Sequence, residues 1–175
     1  IRGWYFNNTG DKLLITGISN WGTLNLSTNS SFQGCGNLTI TANNAPTISG
    51  TDMNSTFQSC TKITNIGSGW DVSSVQNFSV FFQGCDLFNH SEVTNWNTGS
   101  GTNMYYMFGF ANNFNQDINS WNVSNVTDMS SMFLSADKFN QDISGWDVDQ
   151  VTNFSSFLQS NTDFSTDNWN KFLIR

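Results

Sequence analysis

Charge is scarce in this sequence. Six basic and 13 acidic residues make up 11% of 175 positions and leave a formal net charge of −7. Six scattered cations cannot form the basic face that neutralises phosphates, so nucleic acid is excluded as a partner. Proline occurs once, as Pro46, which removes collagen-like and polyproline architectures. Three cysteines are too few to staple a chain of this length. No apolar run approaches the roughly 20 residues a helix needs to cross a bilayer, so no transmembrane segment is expected. The chain opens Ile1-Arg2-Gly3-Trp4, without an initiator Met or a basic-then-apolar leader, as expected of a fragment or a processed form.

What is abundant is aromatic and uncharged-polar. Sixteen Phe, 7 Trp and 3 Tyr reach 15%, far more than an acidic disordered chain would carry. Asn, Ser and Thr contribute 26, 23 and 18 residues. The composition is that of an aromatic core under a skin of amides and hydroxyls.

The aromatics recur. Trp70, Trp96, Trp121, Trp146 and Trp169 are 26, 25, 25 and 23 residues apart. Phe32, Phe57, Phe82, Phe108, Phe133 and Leu158 are 25, 25, 26, 25 and 25 apart. Three residues beyond each stand Cys35, Cys60, Cys85, Ala111, Ala136 and Asn161; six beyond stand Leu38, Ile63, Phe88, Phe114, Phe139 and Phe164. Four before stand Thr28, Met53, Phe78, Met104, Met129 and Phe154. Repetition at a fixed period is the mark of stacked units that cannot bury their apolar sides alone.

Within one unit two periods alternate. Val126, Met129, Met132, Phe133 and Ala136 follow helical spacing, which predicts a short helix. Phe139 to Val148 alternates apolar and turn-forming residues, which predicts an extended segment. The expected fold is therefore α/β: a right-handed leucine-rich-repeat-like solenoid of about seven 25-residue strand–helix units. It fills one domain over 1–175. Residues 1–31 form an atypical first unit or cap that includes a strand candidate at Leu13-Leu14-Ile15, residues 32–169 are regular repeats, and residues 170–175 are an end or truncation.

Phe114-Asn-Gln-Asp-Ile118-Asn-Ser-Trp121-Asn-Val-Ser-Asn-Val126-Thr-Asp-Met129-Ser-Ser-Met132-Phe133 is one full copy, and Phe139-Asn-Gln-Asp-Ile143-Ser-Gly-Trp146 begins another. This pattern resembles the bacterial surface-protein repeat of about 25 residues, the BspA-like leucine-rich-repeat family. The resemblance implies a cell-surface, extracellular protein engaged in adhesion through a protein or glycan on another surface. Similar arrays also imply an alternative: a structural or receptor-binding component of a phage tail fibre, virion surface or extracellular filament, with self-association in the appendage. The repeated columns are core, so the resemblance transfers no binding residue.

Few residues point to chemistry. Cys35, Cys60 and Cys85 share one column; a straight row does not converge on a tetrahedral metal, and the Ala in the same column marks a small buried slot. His90, the single histidine, has no imidazole partner and reads as a turn residue. With no phosphate-cradling glycine loop, nucleophile elbow or paired carboxylates, the chain reads as non-enzymatic, without cofactor. Asp117, Asp142 and Asp167 recur in one column; with Asn115 and Asn140 they make a weak Ca²⁺ candidate, against the simpler reading that each Asp bonds its own turn. One departure from the columns stands out. The paired slots that read Asn54-Ser55, Ser79-Val80, Ser130-Ser131 and Ser155-Ser156 become Tyr105-Tyr106, and nearby Phe110 and Leu134 replace polar or small residues. Tyr105, Tyr106, Phe110 and Leu134 are the candidate binding patch.

Since the cysteines read as packing, Cys60→Ala is expected to change the melting temperature equally in reducing and oxidising buffer. A stability loss confined to oxidising buffer would overturn that reading.

Overall fold

The computed structural model describes residues 6–173. It is a well-packed fold with little regular secondary structure and a large buried aromatic core. Strands β1 (Gly17–Ile18) and β3 (Thr39–Ile40) pair in parallel, as do β2 (Asn25–Leu26) and β4 (Thr47–Ile48). A 3-10 turn covers Ser91–Asn95, and one helix, α1, covers Thr166–Leu173. Beyond β4, single parallel bridges join Asp52 to Asn77, Asn77 to Asn103, Asn103 to Asp128 and Asp128 to Asn153. The outermost residues of the expected domain, 1–5 and 174–175, lie outside the described residues.

The helix expected over 126–136 does not form. Its place is taken by overlapping tight turns, in which Met132, Leu134 and Ala136 donate N–H to the carbonyls of Met129, Ser131 and Phe133. The intervening amides leave the unit altogether. Met129, Ser131, Phe133 and Ser135 donate to the carbonyls of Asn153, Ser155, Phe157 and Gln159 at 2.8–3.0 Å. Asp128 Oδ1 takes the remaining N–H, from Ser130, at 2.8 Å in an Asx turn. Every amide of the turn is thereby paired, as burial demands. Each turn steps three residues, so apolar side chains still point inward at near-helical spacing, and the period misleads.

Left-handed backbone is what makes this geometry. Each unit carries two residues at positive φ, four apart: Ser30 and Gly34, Ser55 and Ser59, Val80 and Gly84, Tyr106 and Phe110, Ser131 and Ser135, Ser156 and Ser160. A helix admits neither. Serine and glycine fill most of these sites; Val80, Tyr106 and Phe110 are bulky occupants of a region that disfavours them.

The other expected elements also differ. Leu13 and Leu14 are not strand but lie in a turn closed by Leu14 N–H on the Asp11 carbonyl, and they are 54% and 74% exposed. Phe139 to Val148 does not form a strand, and a turn at Ser144-Gly145, closed by the Trp146 N–H on the Ile143 carbonyl, interrupts it. Its apolar residues are nonetheless core: Phe139, Ile143 and Trp146 are fully buried.

Three columns of rings fill the interior. Phe32, Phe57, Phe82, Phe108 and Phe133 follow one another at centroid separations of 5.5–5.8 Å, nearly parallel. Phe88, Phe114, Phe139 and Phe164 run beside them at 5.9–6.2 Å. Trp96, Trp121 and Trp146 form the third column at 6.2–6.5 Å. Phe108 also lies 3.9 Å from Phe114, so the columns are locked together. The indole N–H groups of Trp121 and Trp146 donate to the carbonyls of Val93 and Ile118 in the preceding unit. Trp169, at 39% exposure, has left the column to join α1.

Two substitutions separate packing from backbone strain. Phe108→Ala is expected to lower the unfolding free energy by about 3–5 kcal/mol, the usual cost of emptying a buried ring site. Val80→Asn should raise it by about 1 kcal/mol, because Asn tolerates left-handed backbone and keeps the N–H that donates to the Tyr105 carbonyl. Urea titration of the two variants reads both.

Candidate functional site

Cys35, Cys60 and Cys85 are free and buried. The Cys60 thiol donates to the Phe32 carbonyl at 3.1 Å, and the Cys85 thiol to the Phe57 carbonyl at 3.0 Å. Burial pushes the Cys35 thiol up to about 11 and raises the Cys60 and Cys85 thiols too, so the nucleophilic thiolate is suppressed. The column is a small-residue slot with a weak hydrogen bond inside it.

The acidic column separates into three environments. Asp117 Oδ1 accepts the Asn119 N–H at 3.1 Å, an Asx turn. Asp142 Oδ1 accepts the Ser144 N–H at 2.9 Å, and its other oxygen takes Lys171 Nζ at 3.0 Å. Asp167 sits in the first turn of α1. Among the described residues no three His, Cys, Asp or Glu side chains gather around a point where a metal could bind. The Asn residues weighed as Ca²⁺ ligands are engaged elsewhere. Asn115 Oδ1 accepts Asn140 N–H and Gln141 Nε2, and Asn140 Oδ1 accepts Ser165 N–H and Asn168 Nδ2, at 2.7–3.0 Å. They are clips between units, a role the sequence did not single out.

His90 stands at the N-cap position of the 3-10 turn, half-buried and without a side-chain cap, and its Nδ1 has no hydrogen-bond partner among the described residues. Burial lowers its pKa, against a smaller opposing pull from Glu92. Glu92 was not anticipated. It is buried, and its Oε1 accepts the N–H groups of Gly69 and Trp70 at 2.8 and 2.9 Å, which ties the irregular 66–70 stretch to the next unit.

The aromatic departures are brought together in part. Tyr105 and Phe110 are 41% and 42% exposed, while Tyr106 and Leu134 are half-buried. The Tyr106 ring stacks on Tyr105 at 5.5 Å and meets the Phe110 ring edge-on at 6.0 Å. Leu134 connects through backbone, its carbonyl accepting the Phe110 N–H at 2.8 Å. Gly109 makes room for this arrangement. A Cβ there would lie 2.3 Å from the Tyr106 ring, so the ring rests directly on the backbone. Burial, and then Tyr105 beside it, raises the Tyr106 pKa. Gly109 also interrupts a row of amides, in which Gln33 Nε2 donates to Gln58 Oε1 and Gln58 Nε2 to Gln83 Oε1. The polar row stops where the three rings begin. Tyr106 and Phe110 are moreover the two left-handed residues of their unit, positions that the other units fill with Ser or Gly except for Val80.

A family model described as "Mycoplasma protein of unknown function, DUF285" matches residues 5–91 and again residues 51–172. The overlap of the two matches fits a model that itself spans several repeats. No curated protein and no solved structure matches the chain.

The Asp142 carboxyl is held down to about 2, first by the Ser144 backbone N–H, then by the Ser144 hydroxyl, then by Lys171. An unfolded Asp titrates near 3.9. The contribution of this site is thus complete above about pH 4 and is lost as pH falls from there towards 2. Lys171→Ala is expected to move the carboxyl titration, followed by NMR, partway back up, since the Ser144 bonds remain. Its small destabilisation at pH 6 should shrink as pH falls through 2 and disappear below it.

Proposed function

We propose that this chain, which belongs to the DUF285 family, is a non-enzymatic adhesion and display module that recognises proteins or glycans on another surface. The observation that carries the reading is the cluster of Tyr105, Tyr106 and Phe110: exposed or half-exposed rings at sites where the other units place mostly Ser, Gly or Asn. Two of the three pay for their place in left-handed backbone, the kind of local strain that clusters where a surface has work to do. Tyrosine suits such contacts because it joins apolar area to a polar tip.

In this reading the units form a right-handed, BspA-like, leucine-rich-repeat-type solenoid in which tight turns stand where a helix is usual. The support is the inter-unit bonding at 23–27-residue separations. The stacked units serve as a stiff scaffold outside the cell, and the ring cluster is the contact. Display of many copies multiplies modest affinities through effective concentration.

The test is a glycan and extracellular-matrix protein array probed with the wild-type chain and with Tyr105→Ser/Tyr106→Ser/Phe110→Gly, the residues other units use. The variant is expected to lose binding while keeping its fold, with stability unchanged or higher by up to about 1 kcal/mol. Equal binding by the two proteins would refute the patch. Sedimentation showing that the wild type associates through these rings and the variant does not would favour the appendage component instead.

A further inference from the structure

A hydrogen-bonding group stands at the edge of the ring cluster. The amides of Gln33, Gln58 and Gln83 form a directed row, in which the Nε2 of one donates to the Oε1 of the next, the second of these bonds at 2.9 Å. The slot after Gln83 belongs to Gly109, and the Tyr106 ring lies where a side chain there would begin. Gln83 is half-buried, and its Nε2 ends the row with no hydrogen bond among the described residues. A spare amide donor is thus placed by register beside the rings.

The backbone of the cluster, in contrast, is engaged. The N–H groups of Tyr106 and Phe110 donate to the Ser130 and Leu134 carbonyls, that of Tyr105 to Asn103 Oδ1 at 2.8 Å, and that of Gly109 to the Tyr106 carbonyl. The Tyr105 and Gly109 carbonyls accept from Val80 and Gly84. An extended peptide therefore finds no main-chain edge to pair with at these residues. Anions fare no better. No Lys or Arg occurs between Lys62 and Lys138, and Lys138 is paired with Asp163. A cation would need rings around it, whereas Tyr105 and Tyr106 stack at 5.5 Å and leave no space between them.

We infer that Tyr105, Phe110 and Gln83 form a binding site for a neutral, hydroxyl-rich glycan. This names the ligand class of the adhesive role proposed above and rests on that role. A sugar ring has an apolar C–H face and a rim of hydroxyls, and the site offers the complement of each. The C–H face lies on the exposed rings of Tyr105 and Phe110, whose π faces are electron-rich. A hydroxyl on the rim accepts from Gln83 Nε2, which carries two N–H groups. The flanking units put small residues beside the rings, Ser79 and Gly84 on one side and Ser131 and Ser135 on the other, which leaves room for a flat ligand.

The probes are cellohexaose, maltohexaose, mannohexaose and chitohexaose as neutral glycans, a heparin-derived hexasaccharide as their anionic counterpart, and oligoproline as an apolar peptide. NMR follows the Tyr105 and Phe110 ring signals and the Gln83 side-chain amide of the wild-type chain. At least one neutral hexasaccharide should move all three at millimolar concentration or below, and heparin and oligoproline should move none. Gln83→Leu puts in a residue the same column already holds at Leu134, and it should weaken binding about three- to tenfold, the worth of one hydrogen bond. Gln33→Leu, the same change at the far end of the row, should leave binding as it is. No shift with any of the four neutral glycans, shifts that spare the Gln83 amide, the same shifts from heparin or oligoproline, undiminished binding to Gln83→Leu, or equal weakening by Gln33→Leu would each overturn the glycan assignment. Capture of matrix proteins that depends on the rings, with no glycan bound, would overturn the ligand class alone. The adhesive role itself falls by the separate result that the triple ring variant binds the array as the wild type does.

Discussion

Alternate backbone N–H groups in each unit reach outward to the next unit, and the rest of the structure depends on that exchange. An amide can be spared for a neighbour only if it is not consumed by its own helix or strand. The paired left-handed residues bring this about, turning the backbone so that one N–H closes a local turn and the next points out of the unit. The fold therefore has almost no long secondary structure and yet pairs the amides of its turns, within the unit or with the next. Ring columns follow from the same register. Once the backbones are tied at fixed separation, identical side chains at identical positions must lie over one another, and flat rings do so with little loss of rotamer freedom.

Much of this was legible in the residues. The columns of Phe, Trp, Met and Cys are visible in the sequence because stacking demands the same shape at each level, and their members are buried through the middle of the chain, while Phe154, Leu158, Phe164 and Trp169 of the last unit are not fully so. The helix misreading has a physical cause. A left-handed Ser looks like any other Ser, and tight turns of three residues mimic the helical period. Gly34 and Gly84 in the column of Ser59, Ser135 and Ser160 were the available signal, since glycine recurring at one slot marks backbone that side chains avoid. Leu13 and Leu14 failed as a strand for a different reason: three apolar residues in a row carry no information about which neighbour they meet.

The candidate site was half legible. Tyr105, Tyr106 and Phe110 announced themselves by breaking their columns, which is a statement about residues. That Tyr106 and Phe110 occupy the costly backbone positions, and that Gly109 clears the space under a ring, are statements about geometry that no spacing reveals. The Asn of the Phe-Asn-Gln-Asp segment shows the converse limit. Its oxygens serve the backbone of the following unit, and composition could not distinguish that from turn formation or cation binding.

Bonding chiefly between neighbouring units also dictates how the chain acquires its structure, the Trp21 indole N–H that reaches the Ile66 carbonyl being an exception. Ladder partners lie about 25 residues apart, so most of the contacts that build the fold are between segments near in sequence, which favours rapid folding. No contact must wait for the two ends to meet, and any adjacent pair of units can act as the nucleus from which order spreads. Cooperativity is then a property of each junction instead of the whole. At the irregular stretch 66–70 the tie to the next unit runs through the buried Glu92 carboxylate, so propagation of order across that junction depends on a side chain as well as on backbone.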